Sequence, residues 1–350
     1  MSDYATAVLA KGQAVVEAKY NTAEQRRQNP TLFSLALQNQ QYSIPDANRL
    51  RTSPLRPVDI NYFADVPAGT AVAKAYNHTG TYGDTGKVNL VYISVVETFG
   101  IPRKIADNSI LEYQGIFNNL YEMKWKNLRT RQDQAALAFL YANRVQLTSA
   151  VMNPELASAN PGNWNQDTFA LEISQADKNL FVQRVKSALA ARFYTDELDI
   201  IADLQMSAQF EFWKNQGTGN FNNTAFQFNM ANITPTQMQI DPNYANGAVL
   251  ALPRGMFAGL NWNEALNRRG VDGGDTDSIG ILGLAEDPLG SGGVADLSMY
   301  TQRADTSANT YGGSTQDIVD QWELTLTMAY AMPPLLINGE SVIHEVAQAA

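Results

Sequence analysis

Few side chains in this sequence have types and spacings that could do chemistry. His78 and His344 are its two histidines, one in a Gly- and Asn-rich stretch and one near the C-terminus. Neither supports a Ser-His-Asp arrangement or a His-based metal site, and an ordinary exposed or half-buried histidine is expected at both. Asp272, Asp275 and Asp277 sit in Asp272-Gly273-Gly274-Asp275-Thr276-Asp277. Hard cations take clustered oxygen ligands, and glycine permits the tight turn. The calcium-loop spacing with its terminal Glu is absent, so a solvated acidic turn is expected. Gly280-Ile281-Leu282-Gly283 and Gly290-Ser291-Gly292-Gly293 lack the Lys-Ser/Thr ending of a phosphate cradle.

Paired carboxylates of the glycoside-hydrolase kind remain open, because Asp and Glu are plentiful, but nothing singles out two of them. Glu197, Asp199 and Asp203 flank an apolar run and read as solvated. Phe210, Phe212 and Trp213 could stack on a sugar or a base, although at this spacing core packing is the simpler expectation. Asn77-His78-Thr79, Asn222-Asn223-Thr224 and Asn232-Ile233-Thr234 match the glycosylation pattern and read as chance matches in an Asn-rich chain. No catalytic residue, metal site or cofactor is expected, and no enzymatic activity.

Composition narrows the rest. The 350 residues include no cysteine, which excludes disulfides, thiolate metal sites and a Cys nucleophile. The net charge of −10 disfavours general nucleic-acid binding, which rests on Lys and Arg neutralising phosphates. Met1 to Ala7 lacks the basic start and apolar core of a signal peptide, so a chain that stays in the cytoplasm where it is made is expected. No apolar run approaches the roughly 20 residues needed to span a bilayer, and no membrane partner is expected.

The elements read as follows. Residues 1–28 form an Ala-rich amphipathic helix with Val8, Val15, Val16 and Tyr20 near helical spacing, and a short helix covers Thr31 to Gln40. Pro45, Pro54, Pro57 and Pro67 make residues 42–70 an extended arm. Val72 to Tyr76 and the strand from Lys87 form a hairpin, with the turn-rich tip Asn77 to Gly86 between them. The apolar run Val88–Phe99 stops at Gly100-Ile101-Pro102.

A long helical pattern then opens near Asp107-Asn108-Ser109. Tyr113, Ile116, Phe117, Leu120 and Tyr121 share one stripe, and Leu128, Ala135, Ala136, Phe139 and Leu140 resume it. Between them Lys126 to Gln134 is polar almost all round, which leaves a break near Asn127 as the alternative to one helix. With no proline between 103 and 153 and only Gly115, one helix of roughly 50–55 Å is favoured at 1.5 Å per residue.

Further on, Ser174-Gln175-Ala176-Asp177 resembles a capping box. It opens a helix with Leu180, Phe181, Val185, Ala188 and Leu189 facing one way. Leu198–Ala202 reads as a buried strand followed by a helix from Gln205 to Asn215. Strand-like pieces follow at Phe226–Phe228, Met238–Ile240 and Ala248–Leu252, and residues 270–293 read as a loop. Trp322, Leu324, Leu326, Met328 and Tyr330 alternate with polar or small residues as a strand, and Ser341–Val346 adds another.

This order resembles the major capsid protein of tailed bacteriophages, a family whose fold is shared by encapsulin shells. The residues carrying the resemblance are Val88 to Gln146, Gln175 to Asn215 and Gln316 to Met332, together with Tyr300 to Thr306. It implies an α+β fold with a long spine helix, an extended β-hairpin E-loop, and peripheral and axial domains. The implied divisions are 1–69 for an N-terminal helix and arm, 70–99 for the E-loop, 100–150 for the peripheral domain with its spine, 151–298 for the axial domain, and 299–350 for closing peripheral strands.

The implied function is a self-assembling icosahedral shell of pentamers and hexamers, built in the host cytoplasm and found in the virion. Such a shell encloses double-stranded DNA without reading its sequence. Portal, scaffolding or decoration proteins are implied as candidate partners. Some members cross-link through an E-loop lysine, for which Lys74 and Lys87 lie in the right region. A cleaved N-terminal scaffolding segment is not expected, because the region before the hairpin is short. The alternatives are an encapsulin-like cargo shell and, from another class, a carbohydrate-active enzyme with paired carboxylates.

Overall fold

The structure is a computed structural model. It describes residues 2–19, 32–40, 44, 46–51, 53, 55–63, 85–103, 105, 109–146, 162–190, 197–216, 231–264, 281–304, 317–331, 341 and 343–349, and all structural statements concern these. In chain order the elements are α1 (Ser2–Lys19), α2 (Leu32–Gln38), α3 (Ala47–Arg51), β1 (Asp59–Phe63), β2 (Thr85–Asn89), β3 (Val91–Pro102), α4 (Ile110–Ala142), β4 (Asn163–Asn165), β5 (Ala170–Ile173), a 3₁₀ turn (Gln175–Leu180), α5 (Phe181–Ala190), β6 (Leu198–Ala202), α6 (Leu204–Gln216), β7 (Ala231–Pro235), β8 (Ala248–Pro253), β9 (Ala258–Asn261), β10 (Ile281–Glu286), β11 (Val294–Ala304), β12 (Asp317–Ala331) and β13 (His344–Gln348).

The long helix α4 runs unbroken for 33 residues, or about 50 Å. Ser109 caps it, its hydroxyl accepting from Glu112 N at 3.3 Å. Tyr113, Phe117, Tyr121 and Trp125 recur every fourth residue and are fully buried. The stripe continues through the polar stretch because Leu128 and Gln132 take the inward positions there. Gln132 satisfies its buried amide by donating to Tyr330 OH at 3.0 Å. The polar residues between them cover only the outer face, so the helix has no reason to end at Asn127.

Beneath α4 lies a sheet in the order β10-β11-β12-β3, with β9 also paired to β12. All its pairings are antiparallel. On β12 the alternation puts Trp322, Leu324, Leu326 and Met328 under the helix. Trp322 is the centre of this contact. It packs 4.8 Å centroid to centroid against Phe117 and 6.2 Å against Phe99, its pairing partner on β3. Its Nε1 donates to Tyr113 OH at 3.4 Å, and Tyr113 OH donates to buried Asp320 at 3.1 Å.

The second sheet has six strands in the order β4-β5-β13-β8-β6-β7. Helices α5 and α6 cover one face through Phe181, Val185, Leu189, Met206 and Phe210. The other face, with Ile201, Leu250, Leu252 and Ala347, joins the core around α4. The same helix therefore packs into both sheets.

The N-terminal helices lie on α4. Val8 and Val16 of α1 are buried, whereas Val15 faces out. Tyr20 lies outside the described residues. Gly12 lets the helices touch, since a Cβ there would stand 2.6 Å from the Phe117 ring. Helix α2 is held at its first turn by Asp133 of α4, which accepts from Phe33 N at 3.3 Å.

Burial pushes the Asp133 carboxyl up to about 7, against the Phe33 and Leu32 N–H groups and the Arg129 charge. The folded value lies above the ordinary carboxylate value, so this group's stabilising share is complete below pH ~4 and is lost as pH rises towards 7. Urea unfolding of Asp133→Asn across pH 4–7 is expected to lack up to about 1.4 kcal/mol per pH unit of the parent's decline. Identical slopes in the two proteins would mean that Asp133 ionises normally.

Several expectations change. The strand near Lys87 pairs with β1, a partner not expected, and Val72–Tyr76 lies outside the described residues along with the tip to Asp84. Ser174 makes no side-chain cap, because the chain first forms a 3₁₀ turn there. Met238–Ile240 is no strand. Thr236 Oγ1 accepts from Met238 N and Asp241 accepts from Asn243 N, and such local bonds compete with a ladder. Phe226–Phe228 lies outside the described residues.

Residues 281–286, read as loop, are a strand whose irregular register at Gly283 hides its period. Strand β12 belongs to the sheet under α4 and β13 to the six-stranded one. Strands β9, β10 and β11 join β12 and β3 in the sheet under α4.

Candidate assembly surface

Among the described residues, those considered for chemistry do not gather into a site. His344 is fully buried in β13, not exposed or half-buried, because it lies in a central strand of the six-stranded sheet. His78, Asp272, Asp275, Asp277 and Lys74 lie outside the described residues. Asp199 and Asp203, expected to be solvated, are buried structural acceptors. Asp199 takes Gly255 N and Asn39 Nδ2, both at 3.2 Å. Asp203 takes Met206 N at 2.9 Å and Ala248 N at 2.8 Å, which caps α6 and ties it to β8. Glu197 pairs with Arg254 at the surface. Phe210 is buried and Trp213 partly so, as core reading expects, while Phe212 faces solvent. Among the described residues no group of three or more His, Cys, Asp or Glu is placed to hold a metal ion. No helix among them is long and apolar enough to cross a membrane.

What the described residues present instead is a two-stranded ribbon and an outer sheet edge. Among the described strands β1 and β2 pair only with each other, from Asp59↔Asn89 at the base to Phe63↔Thr85 at the far end. The base is anchored. Leu90 N donates to Val58 O at 2.8 Å, and Ile60 and Leu90 pack with Ile44, Leu260 and Ala329. The preceding segment is pinned as Trp262 Nε1 donates to Ser53 O at 3.1 Å and Arg56 lies over the Tyr92 and Trp262 rings. Along the ribbon Lys87 pairs with Asp59 at 2.9 Å. Around its root Leu55 (72 %), Val58 (70 %) and Val91 (45 %) face solvent. The ribbon is thus fixed at its base, with apolar side chains exposed around its root.

Among the described strands β3 is the outer one of its sheet. Exposed strand edges invite pairing with other chains, and proteins blunt them with charge. Here Arg131 of α4 donates to Val96 O at 3.0 Å and pairs with Glu97 at 2.9 Å, and Lys124 pairs with Glu97 at 2.9 Å. Burial pushes the Glu97 carboxyl up, but the hydrogen bonds and charges of Lys124 and Arg131 outweigh it and leave the carboxyl below its ordinary value. Further along the outer face of α4, Glu122 joins Lys19 at 2.8 Å and Lys126 at 2.7 Å. Sequence reading missed this ladder. Lys126–Glu122 has helical spacing, but Glu97 lies a whole turn and helix away from its partners.

No family model matches the sequence, and no curated protein matches it. Among solved structures the chain is similar to one from Mycobacterium phage Adephagia, at 11 % identity over 92 % of this chain and 91 % of that one, with a TM-score of 0.44. It is similar to one from Mycobacterium phage Cain with the same identity, coverage and score. It is also similar to a chain in the capsid of an empty GTA particle, at 8 % identity over 92 % of this chain and 91 % of that one, with a TM-score of 0.43.

Proposed function

We propose that this chain is a shell-forming subunit of the tailed-bacteriophage major capsid class, assembling into pentamers and hexamers of a closed icosahedral particle around double-stranded DNA. The observation that carries the reading is the joining of one unbroken 33-residue helix to two sheets, with a separately anchored β-ribbon beside it. A rigid spine spaces the two sheets, and the ribbon offers a contact to a neighbouring subunit. Many weak contacts per subunit then act together, since each bond formed raises the effective concentration for the next. The net charge of −10 keeps DNA from adhering to the wall. The ribbon with residues 64–84 takes the E-loop role, and portal, scaffolding or decoration proteins are partners of the same particle.

The enzyme alternative loses its chemistry at the carboxylates. Among the described carboxylates Asp199 and Asp203, which flank the candidate strand, are fully buried, bonded to backbone donors and out of a sugar's reach. The purified protein is expected to sediment as large particles and to show closed shells by electron microscopy. A small, stable monomer at high concentration contradicts the proposal. Shells holding DNA favour the phage reading, and shells holding a cargo enzyme favour the encapsulin-like one. Phe63 and Thr85 are directly paired, so replacing residues 64–84 by a two-residue Asn-Gly turn closes a plain hairpin. That variant is expected to remain folded and to lose or weaken assembly. Unchanged assembly would remove the ribbon from its assigned role.

A further inference from the structure

The outer face of α4 carries charge of one sign. At about 100° per residue, Lys124 and Arg131 fall on one flank of the helix and Glu122 and Lys126 on the other. The crest between them, Met123, Asn127, Thr130 and Gln134, is exposed. From Tyr113 to Ala142 no exposed residue of α4 is an acid. On both flanks the acid lies beneath and the cations above it. Glu97 of β3 holds Lys124 and Arg131, both at 2.9 Å, and Glu122 holds Lys19 at 2.8 Å and Lys126 at 2.7 Å. The side chains of Glu97 and Glu122 are 11 % and 13 % exposed, whereas those of Lys19, Lys126 and Arg131 are 58 %, 52 % and 53 % exposed.

Four cations over two covered carboxylates leave this face positive, on a chain whose net charge is −10. Exposed ion pairs of this kind contribute little, so the cations take a further anion at low cost. The complementary charge sits across the sheet. Among the described strands β10 and β3 are opposite edges. From 270 to 302 the chain has six acids and no Lys or Arg. Asp287 and Asp296 are used internally, accepting from Leu289 N at 2.9 Å and from Glu264 N at 2.8 Å. Glu286 of β10 is exposed. Asp272, Asp275 and Asp277, outside the described residues, precede it in the sequence. The α4 crest faces away from its own sheet, so the fit is to the acid-rich edge of another copy.

We propose that the outer face of α4 receives the acid-rich β10 edge of a second copy of this chain, head to tail. Two different surfaces meet, and contacts of that kind close into rings when the rotation between copies permits. Met123, 47 % exposed at the centre of the crest, gives the contact an apolar point between its cations. The carboxylates set among the cations and the acid surplus of the whole chain disfavour a DNA duplex as the occupant. The charges are at the surface, so salt screens the contact. The ring's place in a shell rests on the function proposed above, whereas the contact between two copies does not.

The test pairs two full-length variants. In one, Lys126→Glu and Arg131→Glu reverse the face, with Lys19 and Lys124 kept so that Glu122 and Glu97 each retain a cation. In the other, Asp272→Lys, Asp275→Lys, Asp277→Lys and Glu286→Lys reverse the edge. Each alone sets like charges together and is expected to self-associate at least about tenfold more weakly than the parent in sedimentation. Mixed one to one, each variant's face meets the other's edge with opposite charge. Association is expected to return close to the parent's and to weaken as salt is raised. Undiminished association of either variant alone, or no recovery on mixing, overturns the contact. A short DNA duplex that binds the parent and not the face variant, with no recovery on mixing, makes the face a nucleic-acid surface instead. Circular dichroism checks each fold. If a reversed variant fails to fold, Lys126→Gln with Arg131→Gln is expected to weaken association of the parent, and no weakening overturns the contact as well. Electron microscopy separates this outcome from the shell reading. Recovered association without closed shells keeps the contact and contradicts the shell, and shells from either variant alone do the reverse.

Discussion

Replacing Trp322 by alanine is expected to cost about 3–5 kcal/mol of subunit stability. The indole is fully buried where α4 crosses β12 and β3. It contacts Phe117 and Phe99, so its removal opens a cavity between helix and sheet and takes away two aromatic contacts at once. It also removes the Nε1 donor to Tyr113 OH, one step from the buried Asp320 carboxylate. That carboxylate keeps Tyr113 and the Thr301 hydroxyl, at 3.0 Å, as donors, so the cost is chiefly one of packing. Urea unfolding of the dissociated subunit measures the loss. Phe in place of Trp322 is expected to recover most of it, and equal costs for the Ala and Phe variants would shift the weight from packing to the hydrogen bond.

A proline at Asn127 is expected to cost at least about 3 kcal/mol, although the side chain it replaces faces solvent. Position 127 is the middle of α4, where proline removes a helical hydrogen bond and its ring strikes the carbonyl one turn back. Asn127→Ala is the control and is expected to be neutral to slightly stabilising, since alanine is the better helix former. Helicity by circular dichroism and the urea midpoint report both variants. Tolerance of the proline would mean that the helix is interrupted there, and the spine would then be two shorter pieces. The prediction bears on function too, because a kinked α4 would change the placement of the two sheets that it joins.

Both predictions rest on a helix whose existence is visible in the sequence and whose continuity is not. The aromatic stripe Tyr113, Phe117 and Tyr121 announces the helix through local spacing alone. Across Lys126 to Gln134 the same criterion fails, because Gln132 looks like a surface residue. Only Tyr330, 198 residues away, makes it an inward one. The same reason separates the strands that were legible from those that were not. The apolar run of β6 and the alternation of β12 are local patterns. The partner of β2 is not, and the polar and aromatic mixture of Asp59–Phe63 gave no sign that it would pair with Thr85–Asn89.

The sequence by itself determined that the chain is α+β, that a long amphipathic helix follows an apolar strand, and that thiol chemistry is absent. Each of these follows from residue type or from spacing within one or two turns. The tertiary structure alone decided which carboxylates are buried and what they meet. Asp199, Asp203, Asp241 and Glu345 look like ordinary surface acids in the sequence, since nothing adjacent marks them. Their environment is set by distant groups: Gly255 for Asp199, Ala248 for Asp203, and Arg144, some two hundred residues earlier, for Glu345. Burial and charge pairing are properties of neighbours in space, and the chain order that fixes local structure carries no direct record of them.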